Sequence, residues 1–297
     1  MPCYLQERFV REALRSVLAQ EYTPLEIIVI DDASTDRTYE IVVEEAQTYR
    51  GPHRVSYSRN SECQRIEIYN QLFKQSRGQF IVHAHGDDIS LPDRVNWLVE
   101  TWQHTGASLI ASNVVVIDAE GESHGVLVNP EQEVVCTLDT IVESVRCPHM
   151  FGATFGYERA VLERFEPLDR LRSVIKTDAI LPFRGALLNG CQFLNRPVLM
   201  FRHHEYVSAA AQLTDRSNPK FMPEGERNRA ERVCQTHYLL ETLDKSQSLI
   251  ADPNRRDRLR QRLLETLVSD VGEWSKIRNR LIVGGAHCRW VKTADTH

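Results

Sequence analysis

LEIIVIDDAS, residues 25–34, is the stretch whose reading decides the fold. Its branched apolar run from Leu25 to Ile30 is the mark of a strand buried on both faces, and it ends in the carboxylate pair Asp31-Asp32. Working outward, Phe9, Val10, Leu14, Val17 and Leu18 recur at helical spacing within Glu7 to Gln20, upstream of the strand. Downstream, Ser34 and Thr35 suit the cap of a second helix, with Asp36 placed in its first turn. Val55 to Ser58 reads as a short strand and Ile66 to Gln75 as a helix, with Gly78 placed to take the positive φ that ends it. Phe80 to Ala84 reads as another buried strand and runs into the loop Gly86-Asp87-Asp88. Pro92 suits the first turn of a helix carrying Val95, Leu98, Val99 and Trp102. Such alternation predicts an α/β fold, a mainly parallel sheet flanked by helices in the Rossmann-like manner.

The middle of the chain changes pattern. Leu109 to Asp118 is a long strand-type run, the turn Ala119-Glu120-Gly121 follows, and Val126 to Val128, Phe151 to Tyr157 and Phe193 to Phe201 are further strand candidates. Two charged helix-forming stretches, Glu226 to Lys245 and Asn254 to Arg280, close the sequence. The expected organisation is a catalytic domain over 1–225, with a nucleotide-binding half (1–105) and an acceptor half (106–225), followed by a C-terminal helical appendage over 226–297.

Composition narrows the function classes. At 42% hydrophobic and 26% charged residues, the chain has an ordinary globular make-up. A formal net charge of −5 argues against a dedicated nucleic-acid binder. The seven scattered cysteines form no C-x-x-C pair, so neither a zinc ribbon nor a thioredoxin-like site is expected, and reduced thiols in the core are. No apolar run approaches the ~20 residues that span a bilayer and no signal peptide is recognisable, which sets the expectation of a cytoplasmic protein. Arg255, Arg256, Arg258, Arg260 and Arg262 offer a peripheral contact to anionic lipid at the inner face of a membrane, although mixed with Asp257 and Glu265 they equally suit a solvated helix face.

Asp31-Asp32 and Asp87-Asp88 each follow a strand, and so are expected at the carboxyl edge of the sheet, where open α/β folds bind ligands. Adjacent carboxylates repel, and a divalent cation or a ring of donor groups removes that cost. Mg²⁺ or Mn²⁺ on a diphosphate is such a cation, since it takes one or two carboxylates together with phosphate oxygens. A helix cap or a solvated loop explains either pair alone, and spacing does not say which of the two holds metal. His83 and His85 point to one face of the strand entering the second loop; they could be metal ligands, but beside carboxylates they read first as packed or hydrogen-bonded neighbours.

The ordered set of motifs resembles the inverting, GT-A-fold family-2 glycosyltransferases. It comprises Pro2-Cys3-Tyr4, Ser16 to Gln20, Glu26 to Asp36, Tyr69-Asn70, Gly78 to Ile81, Asp87-Asp88 and Pro92-Asp93-Arg94. The likeness is strong over roughly the first two-fifths of the chain and weaker to about Ser208. It implies a nucleoside-diphosphate sugar donor, a UDP-sugar first of all, and a glycan or lipid-linked acceptor in surface polysaccharide or glycolipid synthesis. By the same resemblance, Asp32 contacts the donor base, with Pro2, Tyr4 and Arg65 around the nucleotide. Asp87 faces the ribose or the metal, Asp88 holds Mn²⁺ or Mg²⁺ on the diphosphate, His204 reaches the diphosphate or metal, and Asp178 is the general base.

Three departures stand against that pattern. Only Met1-Pro2 precedes Cys3 where four or five apolar residues would form a first strand, and a mis-assigned start or a fragment is the expected account. Leu5 takes a place the family usually gives to Asn, and Pro182 follows Asp178 closely enough that the helix is expected to start later than Thr177. Rival readings remain. A receiver-like signalling domain matches LEIIVIDDAS but leaves Asp87-Asp88 unexplained, and a nucleotidyltransferase lacks its Gly-rich phosphate loop. A catalytically impaired sugar-nucleotide-binding relative of the same fold keeps every motif.

Overall fold

The structure is a computed structural model that describes residues 1–127, 134–145, 150–168, 177–203 and 224–282. The chain divides into two compact units, Met1–Val207 and Ser208–His297. In the first, β1 (Pro2–Cys3), α1 (Val10–Leu18), β2 (Glu26–Asp31), α2 (Thr38–Thr48) and β3 (Arg54–Arg59) follow the strand–helix alternation. The three strands pair parallel in the order β1-β2-β3, with Pro2 opposite Ile30 and Glu26 opposite Arg54. Val10 and Leu14 of α1 and Ile41 and Val42 of α2 close on Cys3, Ile27 and Val29. Each such buried side chain contributes about 1.5–3 kcal/mol, and this cluster fixes the strand end that carries Asp31.

The start of α2 differs from the sequence expectation. Ser34 and Thr35 do not cap it; the Asp36 carboxylate accepts from the amide (3.0 Å) and hydroxyl (2.6 Å) of Thr38, the first helical residue. The Ser34 hydroxyl is committed elsewhere, accepting the Leu5 amide at 2.9 Å.

A one-turn 3-10 segment, Arg65–Glu67, leads into α3 (Ile68–Gln75), then β4 (Phe80–Val82), β5 (Ile89–Ser90), α4 (Arg94–Thr105), β6 (Leu109–Ile117), β7 (Ser123–Val126) and β8 (Val134–Cys136). After them come α5 (Leu138–Ser144), β9 (Gly156–Glu158), α6 (Ala160–Glu163), α7 (Thr177–Leu187) and β10 (Cys191–Arg202). A second sheet runs β4-β9-β6-β10-β5, with β7 on β6 and β8 on β10. Its centre is the parallel pair β6/β10, from Leu109 opposite Cys191 to Ile117 opposite Arg202, and antiparallel partners flank that pair. Pro197 is accommodated in β10 where the register shifts between Leu194 and Leu199, a site that needs no ladder amide.

Gly78 does not take the helix-ending positive φ. α3 stops at Gln75 with Ser76 extended, and the left-handed cap role falls to Gly106 (φ 66) directly after α4. Pro92 lies two residues before α4 and accepts the Glu21 amide at 2.9 Å. The strand expected over Phe151 to Tyr157 shortens to β9 because Gly152–Thr154 form a 3-10 turn. α7 does begin at Thr177, with Pro182 inside it, and the buried side chains Ile180, Leu181 and Phe183 hold the helix across the missing amide.

An apolar cavity of about 470 Å³ lies between the two sheets, lined among others by Ile27 and Ile28 of β2, Phe73, Ile81 and Val82 of β4, and Trp102. The second unit contains α8 (Glu224–Lys245) and α9 (Pro253–Ile282), joined by ion pairs Arg232–Asp270 and Arg260–Asp244, each 2.8 Å. The arginine-rich start of α9 is partly answered by acids, Arg256 by Asp257 and Arg258 by Asp252 as well as Arg260 by Asp244. Among the described residues no helix is long and apolar enough to cross a membrane. Cys3, Cys63, Cys191 and Cys234 are free thiols, whereas Cys136 is disulfide-bonded, contrary to the expectation of reduced cysteines throughout. Cys147 and Cys288 lie outside the described residues.

Candidate active site

The first carboxylate pair sits where β2 ends. Asp31 is fully buried; its Oδ2 accepts the Ser34 amide (3.0 Å) and faces Arg59 Nε (3.3 Å), while Oδ1 has no hydrogen-bond partner. Burial raises its pKa, partly opposed by these partners. Asp32 is also buried but saturated: it accepts from Asn60 Nδ2 (2.9 Å), the amides of Gln64 and Arg65 (both 2.8 Å) and Cys63 Sγ (3.3 Å). These four bonds shape the loop after β3 and hold Arg65 at φ 56, a strained value for a side-chain-bearing residue. The Tyr4 phenol lies in the same neighbourhood, its pKa raised first by burial and then by Cys63 and Asp32, with Arg65 opposing. Pro2 is in β1 opposite Ile30 and lines the interior cavity.

The second pair is placed by three elements. The loop after β4 packs on the end of β1, where a Cβ on Gly86 would overlap Gln6 Oε1 and come within 3.1 Å of Cys3 Sγ. β5 then hooks antiparallel onto β10, Ser90 opposite Leu199. Finally Arg202, the last residue of β10, donates its amide to Asp88 Oδ1 at 3.0 Å. Its guanidinium is almost fully buried and donates to the Asp87 carbonyl (3.0 Å), the Asp118 carbonyl (2.9 Å) and Glu12 Oε2 (2.6 Å). The Cys3 thiol lies between the two pairs, pushed up to about 12 chiefly by burial and also by the charges of Asp31 and Asp87.

His85, Asp87 and Asp88 each bring a ligand atom within 4.8 Å of the others. Asp88 Oδ2 is buried without a hydrogen bond and stands 3.6 Å from His85 Nδ1. An orphaned buried carboxylate oxygen facing an imidazole and a second carboxylate is what a hard divalent cation would satisfy, so these residues fit one. Burial alone would lower the His85 pKa, but Asp88, Asp87 and Asp178 outweigh it and raise it. His85 Nε2 meets the Tyr69 hydroxyl at 3.2 Å, an outer partner of the kind that orients ligand imidazoles. Both histidines have the packed or hydrogen-bonded surroundings expected of them, and they differ in what they face. His83 is buried against Gly152 O (3.1 Å) and the Tyr157 hydroxyl (2.9 Å), whereas His85 joins the carboxylates.

Asp178 stands in the first turn of α7 and is half-buried, with Thr177 Oγ1 donating to its Oδ1 at 3.3 Å. Its charge acts on Tyr69 and on His85, as do those of Asp87 and Asp88. Asn70 ties the neighbouring segment by bonding both the carbonyl (2.7 Å) and the amide (2.9 Å) of Leu168. His204 lies outside the described residues. Sequence reasoning named His204 but not its neighbour Arg202, whose partners Asp87, Asp88, Asp118 and Glu12 are all distant in sequence.

This two-sheet α/β fold, with one carboxylate pair at the end of β2 and another in the loop after β4, is the fold of GT-A glycosyltransferase structures. Residues 1–165 match the family described as Glycosyl transferase family 2, and the chain belongs to that family. An uncharacterized glycosyltransferase of Nostoc sp. is 22% identical over 217 residues, covering 71% of this chain and 67% of the relative. The succinoglycan biosynthesis protein ExoO of Rhizobium meliloti is 29% identical over 157 residues, covering 51% of this chain and 43% of its own, so this chain spans less than half of that relative. Among solved structures, Staphylococcus aureus TarS 1-349 in complex with UDP-GlcNAc superposes with a TM-score of 0.63 at 16% identity, over 90% of this chain and 71% of that one, a likeness of fold.

Proposed function

We propose that the chain transfers a sugar from a nucleoside-diphosphate donor, a UDP-sugar, to the hydroxyl of a glycan or lipid-linked acceptor, with inversion at the anomeric carbon. One observation carries the reading: His85, Asp87 and Asp88 bring ligand atoms within 4.8 Å of one another, with Tyr69 on His85 at 3.2 Å and the charge of Asp178 acting on both. The UDP-GlcNAc held by the TarS structure supports the donor class, and the succinoglycan role of ExoO supports a place in surface polysaccharide synthesis.

In this reading Asp178 takes the proton of the acceptor hydroxyl as its oxygen attacks the anomeric carbon and the bond to the diphosphate breaks. One displacement gives one inversion. His85, Asp87 and Asp88 hold Mn²⁺ or Mg²⁺, which when bound supplies positive charge to the departing diphosphate. Arg202 keeps Asp88 aimed by pinning one of its oxygens through the backbone. Tyr4 and Arg65 border the nucleotide. Asp32 already fills its roughly four acceptor sites with loop donors, so contact with the base exchanges one of those bonds.

The test is thermal unfolding with UDP-sugars, with and without Mn²⁺. Donor at a hundred times its dissociation constant adds about 2.7 kcal/mol of apparent stability. The wild-type chain is expected to show this shift only with metal, and Asp88→Ala to lose it. An equal shift in excess chelator would overturn the metal role.

A further inference from the structure

A Cβ added to Gly152 would overlap Asp178 Oδ1 and lie 3.3 Å from Asp178 Cγ and 3.2 Å from Thr177 Oγ1. Gly152 is not among the residues with positive φ, so backbone conformation does not demand glycine there. Space does: the side chain of the proposed base rests on the bare Cα. The turn that presents this Cα is itself held. Gly152 O, which can only accept, meets His83 Nδ1 at 3.1 Å, so that nitrogen carries the proton and Nε2 accepts from the Tyr157 hydroxyl at 2.9 Å. Arg94 donates to the carbonyls of both His83 and Ala153, each at 2.7 Å. His83 lies two residues before His85, in the segment that continues into Asp87 and Asp88.

We propose that Gly152 is a positioning residue for Asp178, and that His83, oriented by Tyr157, fixes Gly152 to the segment bearing the acidic loop. The turn thereby sets the spacing between base and donor. This rests on Asp178 being the base. A base displaced by about 1 Å costs on the order of 10² in rate while donor binding is untouched.

The experiment uses the full chain with UDP-sugar, Mn²⁺ and acceptor. Gly152→Ala is expected to lower kcat about 10²-fold with the donor dissociation constant unchanged and the acidic limb of the pH–rate profile displaced. Near-normal kcat would overturn the proposal. Tyr157→Phe, which keeps the core filled, is expected to lower kcat several-fold at constant donor affinity; no change would remove His83 and Tyr157 from it. Melting temperatures separate this inference from the assignment of the base. Gly152→Ala is expected to lower the melting temperature of the wild-type chain but not of Asp178→Ala, where the overlap is gone. Equal losses in both backgrounds would sink the inference, whereas normal transfer by Asp178→Asn would sink the base.

Discussion

Leu5, where the family resemblance leads one to expect Asn, carries a structural cost. It has φ 51, the left-handed region, and its amide is spent on the Ser34 hydroxyl that terminates the LEIIVIDDAS stretch. Asn tolerates that region because its short side chain bonds locally, whereas a γ-branched apolar side chain gains nothing there. Leu5→Asn is therefore expected to stabilise the chain by about 1 kcal/mol, read as a rise in melting temperature. A fall would mean that the partial burial of the leucine outweighs the strain. The departure was legible in the sequence, and its physical reason appeared only with the dihedral. The same division applies to the acidic residues. Asp87 and Asp88 were readable because two carboxylates after a strand are costly without a partner, but the saturation of Asp32 by Asn60 to Arg65 was not, since it depends on a loop some thirty positions away.

At the level of elements, what depended on local periodicity was readable and what depended on pairing was not. The continuous run in β2 and the helical stripe of α1 announce themselves, because each buries its own side chains against neighbours close in sequence. β4 looked like a further member of the parallel set, yet it pairs antiparallel with β9, whose own start is taken up by the Gly152–Thr154 turn. The start of α2 was misplaced because the Ser34 hydroxyl already had a tertiary partner. Arg202 escaped notice for the same reason: its amide serves Asp88, and its guanidinium serves Asp87, Asp118 and Glu12, all distant in sequence. Arg202→Lys keeps the charge and the backbone amide but loses the fork that ties the acidic loop down. The expected result is a 10- to 100-fold loss of Mn²⁺ affinity with a modest loss of stability, measured by metal titration alongside melting. Unchanged metal affinity would show that β5 and the Asp88 contact suffice to fix the loop.

For the whole molecule, the account makes one site from two halves of the first unit. In the proposed reading the loops of the parallel set β1-β2-β3 hold the nucleotide, while the loop after β4 gathers His85, Asp87 and Asp88 and α7 carries Asp178. A carboxylate that acts as base matters in the transition state and little in donor binding, so the two halves can be separated by experiment. Asp178→Asn keeps the size of the side chain and removes its basicity. The deciding measurement is the transfer rate and the donor dissociation constant of Asp178→Asn on one preparation, with UDP-sugar and Mn²⁺. The account predicts a rate lower by about 10² to 10⁴, or ~3–5 kcal/mol of barrier, with donor affinity unchanged. Near-normal transfer, or a loss of donor binding that matches the loss of rate, would contradict it.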